Sequence, residues 1–529
     1  MLRRRFLIFT LMVVALAGAE PSALAQKKPR TKAEREFQAS VARFRQRVDA
    51  ELAKEKAQKG DWGLLVVDSA TGETLVSLGA DRYFTPASNT KMFSTVLALA
   101  TLGPGYTYHT RIETQGGLDA HGRLLGDVVL IARGDPNLSN RKFPYQQKSE
   151  FEGPPEKVLA ELVDQAVAKG IRQIEGDTVV DDSWFAYDRY PVGWAIDDMT
   201  YGYGAPVSAL CMNDNTLEIE IRPGTYEGSL AWFGVEPWAE FYEFENRITT
   251  GPAAPPGTSN EENSTSRVVV EREPGSRRVL LRGTIAMGTE AQKVALAIEE
   301  PAEYAANVLK RLLEKRGVRV YGRASAQHTP RLETDDVLLL AEHTSVPLAE
   351  SVRLINKVSQ NLHTEMLLRT VAREKGGAGS TQEGLRLAQE FFKSIGIREG
   401  DVAIYDGSGL SRMNLITPRA AVTLLQHVAK QPWAEAYIAS LPVAGQDGTL
   451  TRRMKDTPAA GRIQAKTGTL ASTNALSGFA TTLSGKRLIF SMFGNKHNLR
   501  GRSATEIVDA LCVAMVEEIG APAKREKRK

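Results

Sequence analysis

The segment Ser88-Asn89-Thr90-Lys91 follows a Thr85-Pro86 break and opens the apolar run Met92-Phe93-Ser94-Thr95-Val96-Leu97-Ala98-Leu99-Ala100. That run predicts a helix, and on a helix a Ser and a Lys three apart share one face, one turn from each other. If that face opens into a cleft, the Lys can take the proton of the Ser hydroxyl and activate it without a His. The same four residues also fit an N-capping Ser on a core helix. The pattern recurs at Ser139-Asn140-Arg141-Lys142, but Phe143-Pro144 follows it and Gly134-Asp135-Pro136-Asn137 precedes it as a turn. Proline blocks a helix there, so the second copy reads as a loop.

The chain begins with Arg3-Arg4-Arg5, an apolar stretch from Phe6 to Ala17 and Ala23-Leu24-Ala25. A charged start, a short apolar core and a small-x-small site predict a signal peptide over 1–25. The expected product is exported and periplasmic, with no transmembrane anchor. Two cysteines, Cys211 and Cys512, are too few for a disulfide-built fold. They read as buried thiols, although pairing across the fold is open. No metal-ligand spacing or phosphate-binding glycine pattern occurs, so neither a metal nor another cofactor is expected.

The net charge of +4 is not spread evenly. The leader carries +2 and the tail from Lys524 to Lys529 carries +4, which leaves the body at −2. A nucleic-acid partner is therefore not expected. The basic tail, 521–529, reads as a solubilising end, or as a weak peripheral contact with membrane or wall polymer. The oligomeric state is not legible.

Phe37, Val41, Phe44, Val48 and Leu52 recur at spacings of three and four and predict an amphipathic helix within 31–58. Trp62 to Val67 and Glu73 to Leu78 flank Ala70-Thr71-Gly72 as a hairpin. Near the other end, Arg462 to Lys466 leads into a strand. Ala475 to Thr482 and Lys486 to Phe493 form two more, and Ala504 to Ile519 a closing helix. Five strands from the two ends of the chain would then share one sheet. The expected organisation is α+β: a domain of 26–102 and 336–520, interrupted by a β-rich insertion of 103–335. The insertion divides into about 103–205 with 290–335, and about 206–289. It holds Trp184, Trp194, Trp232 and Trp238, which line a groove or, by the commoner outcome, fill cores.

Two further motifs bear on Ser88. Lys466-Thr467-Gly468-Thr469 begins a predicted strand. Lys466 and Thr467 supply a charge and a hydroxyl for a carboxylate, and Gly468 allows a substrate backbone close approach. The backbone N–H of Thr469, with that of Ser88, could form an oxyanion hole. Ser359-Gln360-Asn361 follows a helix-like run from Leu348 to Ile355. Its Ser can relay a proton and its Asn can orient the Lys and the substrate. A second S-x-N, Ser472-Thr473-Asn474, sits too close to Lys466 to close an opposite wall.

S-x-x-K, S-x-N and K-T-G in this order resemble the motif set of β-lactamases and penicillin-binding proteins. The chain resembles the D-Ala-D-Ala carboxypeptidase/endopeptidase type with a large insertion, peptidase family S13 (PBP4-like), over roughly 60–520. Gly134-Asp135-Pro136-Asn137-Leu138-Ser139, Asp181-Asp182-Ser183-Trp184-Phe185 and Asp406-Gly407-Ser408-Gly409-Leu410-Ser411-Arg412 add to the likeness. The resemblance implies a transpeptidase-like domain, an antiparallel five-stranded sheet flanked by helices. It implies Ser88 as nucleophile, Lys91 as base, and Lys466 and Thr467 on the terminal carboxylate. Its substrates would be peptidoglycan stem peptides, and β-lactams its covalent inhibitors. Asp181 and Arg412 become candidates for gripping a diaminopimelate-type side chain, while Leu470-Ala471 replaces the polar residue expected after K-T-G. Weighed against this are a β-lactamase or esterase on the same scaffold and a non-catalytic binding module. No Glu motif for deacylation is found, and all three motifs are intact.

Overall fold

The computed structural model describes residues 31–253, 266–330, 336–499 and 503–522. The expected signal peptide, most of the basic tail and part of the Thr250–Asn260 loop lie outside the described residues. No described helix is long and apolar enough to cross a membrane.

The two ends of the chain do build one sheet. Its order is Ile463–Leu470, Thr473–Thr481, Arg487–Asn495, Asp61–Asp68, Thr74–Leu78, and every pairing is antiparallel. The join between the ends runs from Asp61 opposite Asn495 to Asp68 opposite Leu488. Alternation along the first strand sorts its side chains to two faces. Leu64 and Val66 pack with Val41, Phe44 and Val48 of the helix Lys32–Leu52 and with Leu511 and Met515 of the helix Ser503–Glu518. Leu65 and Val67 pack with Met92, Phe93 and Val96 of the helix Thr90–Leu102 and with the helical half of the domain. That helix is buried on every side from Thr90 to Leu99, its polar Lys91, Ser94 and Thr95 included.

The insertion holds a second five-stranded sheet, ordered Ala324–Gln327, Thr178–Asp181, Val128–Ile131, His109–Thr114, Leu338–Thr344. The helices Lys157–Ala168 and Pro301–Lys315 pack on it. Two three-stranded sheets follow, one of Gln292–Ala297, Thr216–Arg222 and Trp232–Glu236, the other of Glu243–Gly251, Arg278–Ala286 and Arg267–Glu271. Two expected borders move. Leu338–Thr344 lies past 335 yet pairs with His109–Thr114. Gln292–Ala297, grouped above with the first subdomain, pairs with Thr216–Arg222 of the second.

None of the four tryptophans lines the cleft that holds Ser88, and of the four only Trp194 is buried. Trp184 lies between Arg133 and Arg373, 4.4 and 4.6 Å from their guanidinium carbons. Trp232 and Trp238 carry Arg222 and Arg311 in the same way. Trp194 is buried and donates its Nε1 proton to Asp406 Oδ2 at 2.9 Å. Cys211 and Cys512 are both free and buried.

Candidate active site

Ser88 sits in a short 3-10 turn, Ala87–Asn89, that runs directly into the buried helix. Asn89 ties the turn to the sheet, its Nδ2 donating to the Lys466 carbonyl at 2.8 Å. Gly468 makes that contact possible, because a Cβ there would lie 2.4 Å from the Pro86 carbonyl oxygen. The glycine of K-T-G thus admits the backbone of the Ser88 turn, where the sequence suggested a substrate backbone.

Lys91 is fully buried. Its Nζ lies 2.9 Å from Ser88 Oγ, 2.6 Å from Asn361 Oδ1 and 2.7 Å from the Ser408 carbonyl oxygen. The amide and the carbonyl oxygen can only accept. A neutral Lys91 therefore spends its two protons on them and turns its lone pair to the Ser88 hydroxyl. Asn361 is fixed in the required sense, since its Nδ2 donates to the Tyr203 carbonyl at 2.7 Å. Burial lowers the Lys91 pKa to about 7, with Asp406 and Glu365 pulling the other way.

Lys466 is also buried, with Nζ 2.9 Å from Ser359 Oγ and 2.9 Å from the Thr467 carbonyl. Burial, then the charge of Lys91, pushes its pKa well below the usual lysine value. The repulsion between the two lysines thus bears on Lys466, while Lys91 is balanced between burial and the carboxylates of Asp406 and Glu365. Thr467 Oγ1 meets Thr449 Oγ1 at 2.8 Å. Ser359 is a left-handed C-cap (φ 61°) at the joint between the helices Leu348–Val358 and Asn361–Gly376. That joint aims Ser359 at Lys466 and Asn361 at Lys91.

Two buried carboxylates, absent from the sequence-based set, shape the floor. Asp406 accepts from the backbone N–H of Gly409 at 2.9 Å and Ser411 at 2.7 Å, and from Asn414 Nδ2 at 2.6 Å. Glu365 accepts from the N–H of Ser408 at 2.7 Å and Gly407 at 3.1 Å. Together they hold the Ser408 carbonyl against Lys91. Burial, reinforced by the Asp406 charge, raises the Glu365 pKa to about 7. Gly409 (φ 84°) brings this loop onto the Ser88 turn, where a Cβ would lie 1.9 Å from the Ala87 carbonyl oxygen.

A cleft of about 350 Å³ opens above, lined by Ser88, Ser359, Asn361, Thr469, Leu470, Arg412, Asp198 and Tyr203 among others. Arg412 Nη1 donates to Asp198 Oδ2 at 2.6 Å, and the Tyr203 hydroxyl donates to Asp198 Oδ1 at 3.2 Å. Asp181 is not brought here. It is buried at the end of an insertion strand, where its Oδ1 accepts from the Ser183 N–H at 2.9 Å. The acid beside Arg412 is Asp198, from Asp197-Asp198-Met199-Thr200-Tyr201. The decoy Ser139–Lys142 forms no helix, and Ser472-Thr473-Asn474 lies in the hairpin after Leu470.

The D-Ala-D-Ala carboxypeptidase 3 (S13) family model matches residues 44–515. The chain belongs to that family. It is 32% identical over 493 residues to a D-alanyl-D-alanine carboxypeptidase of Actinomadura sp. (strain R39), covering 91% of this chain and 86% of that one. Its fold matches the crystal structure of penicillin-binding protein 4 (dacB) from Haemophilus influenzae with a TM-score of 0.75 at 24% identity, over 90% of this chain and 98% of that one. A second structure of the Haemophilus protein, complexed with a β-lactam, matches with a TM-score of 0.71 at 22% identity, over 90% and 98%. The five-stranded sheet and its helices are thus the penicillin-binding fold, and the S13 member described here is a serine hydrolase of the D-alanyl-D-alanine carboxypeptidase kind.

Proposed function

We propose that Ser88 is the nucleophile of an exported, periplasmic DD-carboxypeptidase, and that the same site opens D-Ala–diamino acid cross-links as a DD-endopeptidase. The observation that carries this is the placement of Lys91, whose two obligatory acceptors leave its lone pair for the Ser88 hydroxyl. Ser88 Oγ attacks the carbonyl carbon of the penultimate D-Ala as its proton passes to Lys91. The Ser88 and Thr469 N–H groups stabilise the oxyanion. Lys466 and Thr467 hold the terminal carboxylate. The C–N bond then breaks as Ser359 gives its proton to the departing amine and takes one from the Lys466 ammonium 2.9 Å away; in deacylation the attacking water returns a proton to Lys466 and Lys91 returns its own to Ser88. Water hydrolyses the acyl-enzyme. A β-lactam takes the same attack, but its leaving nitrogen stays tethered and blocks the water.

Arg412, with Asp198 in place of Asp181, grips the free end of the third-residue side chain. A guanidinium and a carboxylate 2.6 Å apart at the cleft wall match one carboxylate and one amine. The leader over 1–25 supports the periplasmic address. Digestion of purified muropeptides, read by mass spectrometry, tests the reading. Loss of one D-Ala from pentapeptides and conversion of dimers to monomers are expected. Unchanged pentapeptides would overturn it, and intact dimers would remove the endopeptidase half.

A further inference from the structure

Behind the S-x-N motif, the insertion presents a second cluster that the chemistry above does not use. Asn213, Asp214 and Asn215 all have left-handed backbones, with φ of 51°, 55° and 52°. Three such L-residues in succession are held only where the surroundings over-determine them. Here Asn215 Oδ1 accepts from the Met212 N–H at 3.1 Å, and its Nδ2 donates to the Leu210 carbonyl at 3.0 Å. Asn213 Nδ2 donates to the Thr216 carbonyl at 2.9 Å.

The turn aims the Asp214 carboxylate out of the insertion at the catalytic domain. Its Oδ1 is 2.8 Å from Nε2 of His363, a fully buried side chain two residues after Asn361 on the same helix. Its Oδ2 takes a hydrogen bond from Arg141 Nη2. Arg141 and His363 hold the Asp214 carboxyl well below the usual carboxylate range, against its burial. A carboxylate only accepts, so His363 Nε2 carries the proton. The ligand atoms of Cys211, Asp214 and His363 lie within 4.8 Å of one another. The Arg141 guanidinium already supplies the cation beside the Asp214 carboxylate.

We infer that Asp214 is a positioning residue for acylation: through His363, two residues after Asn361 on one helix, it fixes the Ser359-Gln360-Asn361 corner, so the insertion holds the arm of the site that orients Lys91. The inference rests on the reading of Ser88 and Lys91 given above. Asn361, 2.6 Å from Lys91 Nζ, opens the helix that carries His363, and the left-handed Ser359 lies just before it. The Tyr203 carbonyl gives the insertion a second hold on Asn361.

The test is the second-order rate of acylation by fluorescent penicillin, measured on the mature protein well below each variant's melting temperature. Asp214→Ala is expected to slow acylation about a hundredfold, the scale on which a misplacement near 1 Å acts. His363→Leu should do likewise, and His363→Gln, which keeps a donor where Nε2 stood, should restore most of the rate. In an Asn361→Ala background, Asp214→Ala should cost almost nothing further, because its route is already cut. On a pentapeptide the loss should fall on kcat, with KM little changed. Wild-type acylation rates in Asp214→Ala, or the same fold-loss with and without Asn361, would overturn the inference. Should Asp214→Ala not fold, the His363 pair decides: equal rates in Leu and Gln would overturn it. An unlabelled wild type would instead sink the reading of Ser88.

Discussion

Ser88-Asn89-Thr90-Lys91 and Ser139-Asn140-Arg141-Lys142 share a pattern and differ in what surrounds it. The first enters a helix buried from Thr90 to Leu99, so Lys91 loses its water and finds only three oxygens. The second lies in a loop. Lys142 keeps 60% of its side chain in solvent beside Glu150, 3.4 Å away, and Asn140 Nδ2 donates to the Gly153 carbonyl. Four residues set a spacing; burial of the helix around them supplies the perturbed lysine. The decoy is not idle, however, since its Arg141 clamps Asp214.

The largest contrast should come from the two serines. Ser88→Ala should lower carboxypeptidase kcat on the order of a millionfold, the scale of losing a covalent nucleophile, while Ser139→Ala leaves it unchanged in a steady-state assay. Comparable losses in both would break the comparison. Next come the lysines. Lys91→Met removes a general base and should cost about a hundredfold to ten-thousandfold in acylation rate, whereas Lys142→Met costs nothing measurable by stopped-flow labelling.

A smaller effect is expected at the cleft wall. Arg412→Ala removes a charge-assisted contact and should reduce kcat/KM on peptides with a diamino acid by about tenfold to a hundredfold. Penicillin, which lacks that side chain, should be affected far less, and equal losses on both would remove the grip. The smallest effect is a shift in pH dependence. Acylation follows the neutral fraction of Lys91, so it should climb as pH rises through about 7. Glu365 raises the Lys91 pKa, so Glu365→Gln should lower it and move the acid limb to lower pH. A limb that stays in place would show that Glu365 only holds the loop.

What could be read in the chain was local. The strands around Leu64 and Phe490 announce themselves as short continuous apolar runs, and Lys91 by its helical spacing from Ser88. The missed groups depend on contacts between segments far apart. Asp198 reaches Arg412 across 214 positions of sequence through a segment without periodicity. Asp181 looked better only because it sits in a resembling string. Glu365 was within reach, since it lies four residues past Asn361 on one helix and so faces the same way. The domain borders slipped because Leu338–Thr344 and Gln292–Ala297 choose partners through long-range pairing that their own residues do not encode.

The central claim is that the helix bearing Ser88 and Lys91 carries the covalent chemistry. Peptide mapping of the penicillin-treated protein by mass spectrometry tests it most directly. One acyl adduct is expected, on the peptide containing Ser88, absent from Ser88→Ala and formed faster as pH rises through about 7. An adduct on Ser359 or Ser139, or one that persists in Ser88→Ala, would contradict it.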